Sequence, residues 1–600
     1  MEIAFILVLG VGAQWLAWRL KLPSILLLLL CGLLAGPVTG VVKPDAIFGE
    51  LLAPLVSLAV ALVLFEGSLS LRIHELRETG NVVRNLLTIG AAVTWCVSTL
   101  AARFLLHFDL ALALILGTIL IVTGPTVIGP LLEHVKPRGR IGPILRWEGI
   151  LIDPLGALLA LLVFEAVLSS SVEIATHKVI EGFGLAVLAG TLAGLGGAAL
   201  LVAALRRYLV PDFLHNSATV TLVLAAFTLA NWLHDESGLL AVTIMGILLA
   251  NQPFVPVAHI IEFKENLRVL LLAGLFIVLA ARLQPHDLAQ LGPGSVLFVL
   301  VLLLVARPLG VLLATAGSDL TRNERLFLAW MAPRGVVAAS VASIFALRLA
   351  QVGYPNANQL TANMFLVIIC TVAIYGLTAS PLARRLGVRQ RRPHGALIAG
   401  ADLPARAIGA ALVKQGCPVV LVDINPAHVA DARHKGLPAL VENILAEGLL
   451  DEVALEGIGR LLALTPNDEV NALAALRFAS QFGWTEVYQL PVKGPLGAET
   501  SSARQPLRGR LLFGPSVDHA YLARQLAAGG TIEAITLDVV GEEADRFGDD
   551  GAVEVPLFVL TETGDTIPCT TTSPPQPGQT VLMLVTAGPP VPAESSSSLG

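Results

Sequence analysis

Charge is scarce in this chain. Asp, Glu, Lys and Arg make up 14% of its 600 residues, against about 25% in an average soluble domain, while apolar residues reach 55%. Disorder needs the opposite composition, and no single soluble core could hide so much apolar surface, so the surplus must face lipid. Cysteine is equally sparse. Cys31, Cys96, Cys370, Cys417 and Cys569 form no C-x-x-C pair, which argues against a structural zinc site and a disulfide framework. There is no basic excess either: 39 Lys and Arg stand against 45 Asp and Glu, with no basic stripe outside the loops, which excludes a nucleic-acid partner. The first apolar run has neither a basic leader nor a clear cleavage site, so it reads as a retained helix rather than a removed signal peptide.

What the chain does have is a series of apolar runs up to about residue 390, many near the roughly 20 residues that span a bilayer. They divide into about thirteen spans. After Arg384-Arg385 and Arg389 to Arg392 the composition shifts to charge, proline and short alternating strands. The organisation expected is a membrane domain (1–390), a Rossmann-like lobe (393–495), a small β-rich lobe (496–590) and a serine-rich disordered end (591–600). With the N-terminus outside, the inner loops carry 15 Lys and Arg and the outer loops 5, a positive-inside bias. An odd number of spans then puts the C-terminal region in the cytoplasm.

A charge at bilayer depth costs at least a few kcal/mol, so it needs a partner, water or a function. The candidates are Glu66, Glu148, Asp153, Glu165, Arg307 and Arg334. Asp153 is followed by Pro154 and lies deeper in span 6 than Glu148. Five residues separate the two acids, placing them about 140° apart around an ideal helix, so one can face a cavity while the other faces a neighbouring helix. Arg307 is the first choice of partner for Glu148 and Arg334 the second. Glu66, at the inner end of span 3, reads equally as an interfacial helix-end acid or as part of an ion pathway.

Two spans carry breaks: Val122-Thr123-Gly124-Pro125-Thr126 in span 5 and Ala332-Pro333-Arg334-Gly335 in span 12. Proline removes a helical hydrogen bond and glycine relaxes the backbone. Irregular backbone at membrane depth survives only where it is buried in protein or lines a cavity. Paired broken helices seven spans apart suit an inverted-repeat transporter with its site where they cross.

These segments resemble the monovalent cation/proton antiporters of the bacterial NhaP and eukaryotic NHE type. Phe65-Glu66-Gly67-Ser68-Leu69-Ser70-Leu71-Arg72 is similar to that family's FEGGLNLR segment. Glu148 and Asp153 fall on its EGxSLxND segment, Arg334-Gly335 on its broken-helix LRG segment, and Phe276 to Arg282 on its FVLLGARL segment. The resemblance covers residues 1 to about 390. It implies an inverted-repeat fold with crossed broken helices, a homodimer, Asp153 as the ion- and proton-binding carboxylate, and Glu148 paired with an arginine. It places the protein in a bacterial inner membrane as a multi-pass transporter, not an enzyme, with no cofactor required for transport. Two departures bear on the ion. The family's Thr-Asp-Pro is Thr123-Gly124-Pro125 here, and its Asn-Asp is Ile152-Asp153. The ligands expected beside Asp153 are therefore the hydroxyls of Thr123 and Thr126, backbone carbonyls or water. The lack of a second acid favours one proton per cation and electroneutral exchange. Sodium is the first choice of cation, with potassium as the alternative.

The C-terminal region reads as strand, turn, helix and strand: His394 to Gly400, then Ala405 to Gln415, then Pro418 to Asp423. The distance from Gly400 to Asp423 suits a dinucleotide-binding βαβ unit whose acid holds a ribose. The loop is Gly400-Ala401-Asp402-Leu403-Pro404-Ala405, not G-x-G-x-x-G, and Asp402 stands where a glycine would admit phosphate. The order of pieces, with Thr465-Pro466-Asn467-Asp468-Glu469-Val470-Asn471 similar to a TxDDExN segment, resembles the RCK (KTN) regulatory domain. That resemblance implies dimerisation and sensing of an adenine nucleotide or NAD(H) through Gly400, Asp402, Asp423 and Thr465. An occupied site and a scaffold that has lost its ligand both stay open.

Two rivals fare worse. A potassium channel gated by such a domain needs a filter like Thr-Val-Gly-Tyr-Gly, and the nearest string, Val352-Gly353-Tyr354-Pro355, matches it poorly. A membrane-bound dehydrogenase would need a catalytic constellation that the C-terminal region lacks.

Overall fold

The computed structural model describes residues 2–20, 22–168, 172–255, 258–283, 291–354, 357–389, 394–446, 449, 457–491, 509–514, 516–537, 554–561, 565–570 and 573–585. The expected disordered end at 591–600 lies outside them. The chain divides into two compact units, Met1–Arg389 and Gln390–Gly600.

Among the described residues of the first unit, eight helices are long and apolar enough to cross a membrane, including Glu2–Leu20, Pro44–Ser68, Ile141–Leu168 and Gln359–Arg385. Five shorter apolar helices accompany them, and two of these, Leu110–Ile119 and Val337–Gln351, belong to interrupted segments. Both interruptions follow from local chemistry. The residue before a proline is pushed out of the helical region, and Gly124 before Pro125 is extended (φ −73°, ψ 115°). Pro125 then opens the half-helix Pro125–Val135 at a first-turn position, where its missing N–H costs nothing. In the second interruption Met331 to Gly335 is non-helical, and Val336–Gln351 starts after an extended Gly335. The half-helix before it, Arg322–Trp330, opens with a capping box between Thr321 and Glu324, which satisfies two otherwise orphan N–H groups.

The described residues of the second unit carry ten strands: β1 (Gly395–Ala399), β2 (Val419–Asp423), β3 (Ala439–Val441), β4 (Ile458–Ala463), β5 (Val487–Gln489), β6 (Arg510–Leu511), β7 (Thr531–Thr536), β8 (Glu554–Leu560), β9 (Thr566–Pro568) and β10 (Thr580–Val585). The first six form one parallel sheet in the order β3-β2-β1-β4-β5-β6. This is the doubly wound dinucleotide-fold order, whose crevice lies beyond the carboxyl ends of β1 and β4. All five residues of β1 are buried, as suits a parallel sheet covered on both faces. The remaining strands form an antiparallel sheet, β7-β10-β8-β9. One correction concerns the lobe boundary expected at residue 495. β6 lies beyond it yet pairs with β5 through Tyr488 and Gln489, so the first sheet is completed by a two-residue strand too short to carry a periodic signal.

Candidate functional site

The two interruptions in the first unit touch each other through backbone. The Gly124 N–H donates to the Pro333 carbonyl at 3.1 Å. A Cβ on Gly124 would stand 2.3 Å from the Gly335 Cα, and one on Gly335 would stand 2.5 Å from the Gly124 Cα. The crossing therefore exists only because both positions lack a side chain. Gly124→Ala is expected to force the two chains apart, costing about 1–3 kcal/mol as overpacking does. A lowered unfolding temperature of the solubilised protein, together with lost transport, checks it.

The helix Ile141–Leu168 lies along this crossing. Gly149, Asp153 and Gly156 share one face of it, at i, i+4 and i+7. A Cβ on Gly149 would press on the Ile128 side chain (2.8 Å), and one on Gly156 on that of Val122 (2.5 Å). The face that bears Asp153 is thus the one applied to the first interruption. Asp153 is 1% exposed, and neither of its carboxylate oxygens has a hydrogen-bond partner among the described residues. The hydroxyls of Thr123 and Thr126, on the interruption itself, are likewise buried and unpartnered. Buried polar atoms are nearly always satisfied, so four orphaned oxygens bearing one formal negative charge call for an explanation. A small cation or a proton supplies what they lack. Pro154 adds a further acceptor, since it removes the N–H that would have bonded the Ile150 carbonyl.

Glu148, on the same helix, is in the opposite condition. Both of its oxygens receive the Arg307 guanidinium, Nη2 to Oε2 at 2.9 Å and Nη1 to Oε1, while Arg307 Nε donates to the Leu328 carbonyl at 3.1 Å. A planar guanidinium fits a carboxylate in this two-point fashion. The π-helical turn Leu302–Ala306 directly precedes Arg307, and such turns shift the register of the residues that follow them.

Arg334, the second choice for that pairing, bonds elsewhere. Its Nη1 donates to the carbonyls of Val122 (2.9 Å) and Ile121 (3.3 Å). These carbonyls lie just past the C-terminal end of the half-helix Leu110–Ile119, where the helix dipole is negative and a cation is favoured. It serves the crossing by closing a broken end, not by neutralising Glu148.

Glu66 sits on the helix Leu52–Ser68 and is 8% exposed. Arg268 approaches it at 3.6 Å and also reaches Glu133 at 3.3 Å. Both Glu66 and Arg268 line a cleft with Asn216 and Thr219. No sequence signal linked Arg268 to either acid: the partners are about 200 and 135 residues away, and Arg268 counted only as an inner-loop charge.

In the second unit Gly400 ends β1 with φ +109°, a conformation open to glycine. Asp423 Oδ2 accepts the Ala401 N–H at 2.8 Å and lies 3.1 Å from His428 Nδ1, while Oδ1 accepts the Asn425 N–H at 2.9 Å. Asp402 caps the helix Leu403–Lys414 by accepting the Ala405 N–H at 3.3 Å, and its other oxygen lies 2.5 Å from His519 Nε2. Thr465 is tied to Asn471, with its hydroxyl donating to Oδ1 at 2.7 Å. The structure therefore brings Gly400, Asp402 and Asp423 to one loop cluster; His519 joins them from 117 residues away, without a sequence signal. Burial pushes the Cys417 thiol above its ordinary value and that of Cys569 up to about 12, which disfavours the reactive thiolate at both.

Comparison with known proteins agrees with this division. The family described as "Sodium/hydrogen exchanger, transmembrane" matches residues 3–385, and the TrkA-N domain matches residues 396–488. Among relatives, the Na(+)/H(+) antiporter 1 of Methanocaldococcus jannaschii is 27% identical over 377 residues, 60% of this chain and 84% of that protein. The K(+)/H(+) antiporter NhaP2 of Shewanella sp. (strain ANA-3) is 25% identical over 373 residues, 61% of this chain and 63% of that protein. The solved structure of the sodium proton antiporter MjNhaP1 from Methanocaldococcus jannaschii at pH 8 superposes with a TM-score of 0.57 at 25% identity, covering 64% of this chain and 97% of that one.

Proposed function

The chain belongs to the sodium/hydrogen exchanger family, and on that premise we propose that it is a secondary antiporter exchanging a monovalent cation, sodium first, for protons. The observation that carries the reading is the set of four buried, unpartnered oxygens of Asp153, Thr123 and Thr126 at the backbone crossing. One carboxylate can hold a proton or a cation, and either neutralises it. The empty, charged carboxylate is the state that burial penalises most, so the site crosses the membrane loaded. Movement of the crossed helices past the rest of the unit then exposes the same carboxylate to each side in turn. With one acid in the site the exchange is one proton for one cation and electroneutral.

Glu148 and Arg307 form a neutral strut that holds the helix of Asp153 without competing for the cation, and Arg334 seals the broken end beside it. Glu66 belongs to the ion pathway, its charge held in check by Arg268. The reading includes about thirteen crossings, with the loop charges favouring an N-terminus outside and a cytoplasmic C-terminal unit, and a homodimer in a bacterial inner membrane. Removing the chain after about residue 392 tests the C-terminal unit as a regulator: the truncated protein is expected to retain exchange with an altered dependence on cytoplasmic conditions. Identical activity and response in both forms would dismiss the regulatory role.

A potassium reading has its own support. Gly124 and Ile152 leave the site without two polar side chains that the family resemblance leads one to expect, and fewer fixed ligands favour a larger, more weakly hydrated ion. The experiment is a series of Li⁺, Na⁺, K⁺ and Rb⁺ added to proteoliposomes carrying a pH dye. Sodium-dependent proton movement with little response to potassium supports the first reading; the reverse order supports the second. No response to any of the four would end both.

A further inference from the structure

We infer that the phosphate cradle of the C-terminal unit is filled from within the chain, with the Asp402 carboxylate standing where a nucleotide phosphate would, so that the unit does not take phosphorylated nucleotides. A dinucleotide fold binds pyrophosphate with free N–H groups at the start of the helix after β1, and with a glycine that lets the backbone approach. Here most of those provisions are spent or missing. The glycine position is Asp402. Its Oδ1 takes the Ala405 N–H; Pro404 has no N–H; and the Arg406 N–H is bonded to the Asp402 carbonyl at 2.9 Å. Among the described residues, only the N–H groups of Asp402 and Leu403 remain for an anion that would face a carboxylate.

The neighbouring groups point the same way. Asp423, the acid that would hold a ribose, accepts the N–H groups of Ala401 and Asn425 and lies beside His428. The nearby cation is Arg406. Its Nη1 donates to the Ala401 carbonyl and lies 3.5 Å from Asp431, leaving Nε unbonded. Finally, His519 opens the helix His519–Ala527, itself capped by Asp518, and sets its Nε2 2.5 Å from Asp402 Oδ2. Both side chains of that pair are about 15% exposed. The carboxylate thus has a donor on each oxygen, one from the helix start and one from a segment beyond β6. It ties the start of the helix Leu403–Lys414 to that of His519–Ala527.

The test uses the full-length protein in detergent, titrated with ATP and with NADH, and with adenosine as the phosphate-free control. Expected for the wild type is no saturable binding of ATP or NADH up to about 1 mM. Asp402→Gly combined with Pro404→Ala frees two N–H groups and removes the repelling charge. It is expected to gain about tenfold or more in affinity for the phosphorylated ligands and none for adenosine. A wild type that takes ATP or NADH more tightly than adenosine overturns the inference, whatever the variant does. So does a double variant that keeps its thermal transition and gains nothing. The result stands apart from the exchange reading, since it requires no transport measurement.

Discussion

Asp153→Asn is expected to abolish cation-driven proton movement in everted vesicles, by at least about a hundredfold, while leaving the protein as stable as before. The argument has two halves. Asparagine keeps the shape of aspartate and cannot hold a proton or a cation charge in exchange, so the shared site is gone. Yet the Asp153 oxygens make no hydrogen bond among the described residues, so the substitution breaks none of those described and relieves the desolvation cost of a buried acid. Activity falls and the unfolding temperature holds or rises, the pattern expected where a residue is retained for function against stability. Exchange that survives the substitution would remove Asp153 from the ion site. Lost exchange with a collapsed protein would show that Asp153 is a packing residue instead.

The features of this site that could be read in the sequence were those with local causes. Gly124-Pro125 and Pro333 break helices wherever they occur, and an acid followed by proline in an apolar run signals a cost that something must offset. The strands β1 and β2 carry their apolar runs in full view, and Asp423 closes the second at the expected distance from Gly400. What could not be read were partners chosen by tertiary packing. Arg334 and Arg307 are both buried arginines near breaks or prolines, and only the fold decides that one closes helix carbonyls while the other meets Glu148. The pairing of His519 with Asp402 and of Arg268 with Glu66 and Glu133 joins residues more than a hundred positions apart. Gly124 is instructive in the other direction. As a departure from the expected Thr-Asp-Pro it looked like the loss of an ion ligand. In the structure it is a steric necessity, because the Gly335 backbone occupies the space of its Cβ.

Glu148→Gln should show the opposite signature from Asp153→Asn, five residues away on one helix. Arg307 is 6% exposed and Glu148 4%, and removing one partner of such a pair leaves an uncompensated buried charge worth about 3–5 kcal/mol. The variant is expected to unfold at a clearly lower temperature in detergent, and Arg307→Gln likewise. Replacing both residues by apolar ones of similar size, Glu148→Leu with Arg307→Met, should recover much of the loss, since a well-packed hydrophobic pair often equals a buried ion pair. Full recovery will not occur here, because the Leu328 carbonyl would lose its donor from Arg307 Nε. The stability of the two single variants and the double variant therefore separates two roles for Glu148. A strut gives two unstable singles and a rescued double, with exchange following stability. A second ion-binding acid would give a stable Glu148→Gln protein that no longer transports, and a double variant no better than the single. In that case the electroneutral, one-proton reading of Asp153 would fall with it.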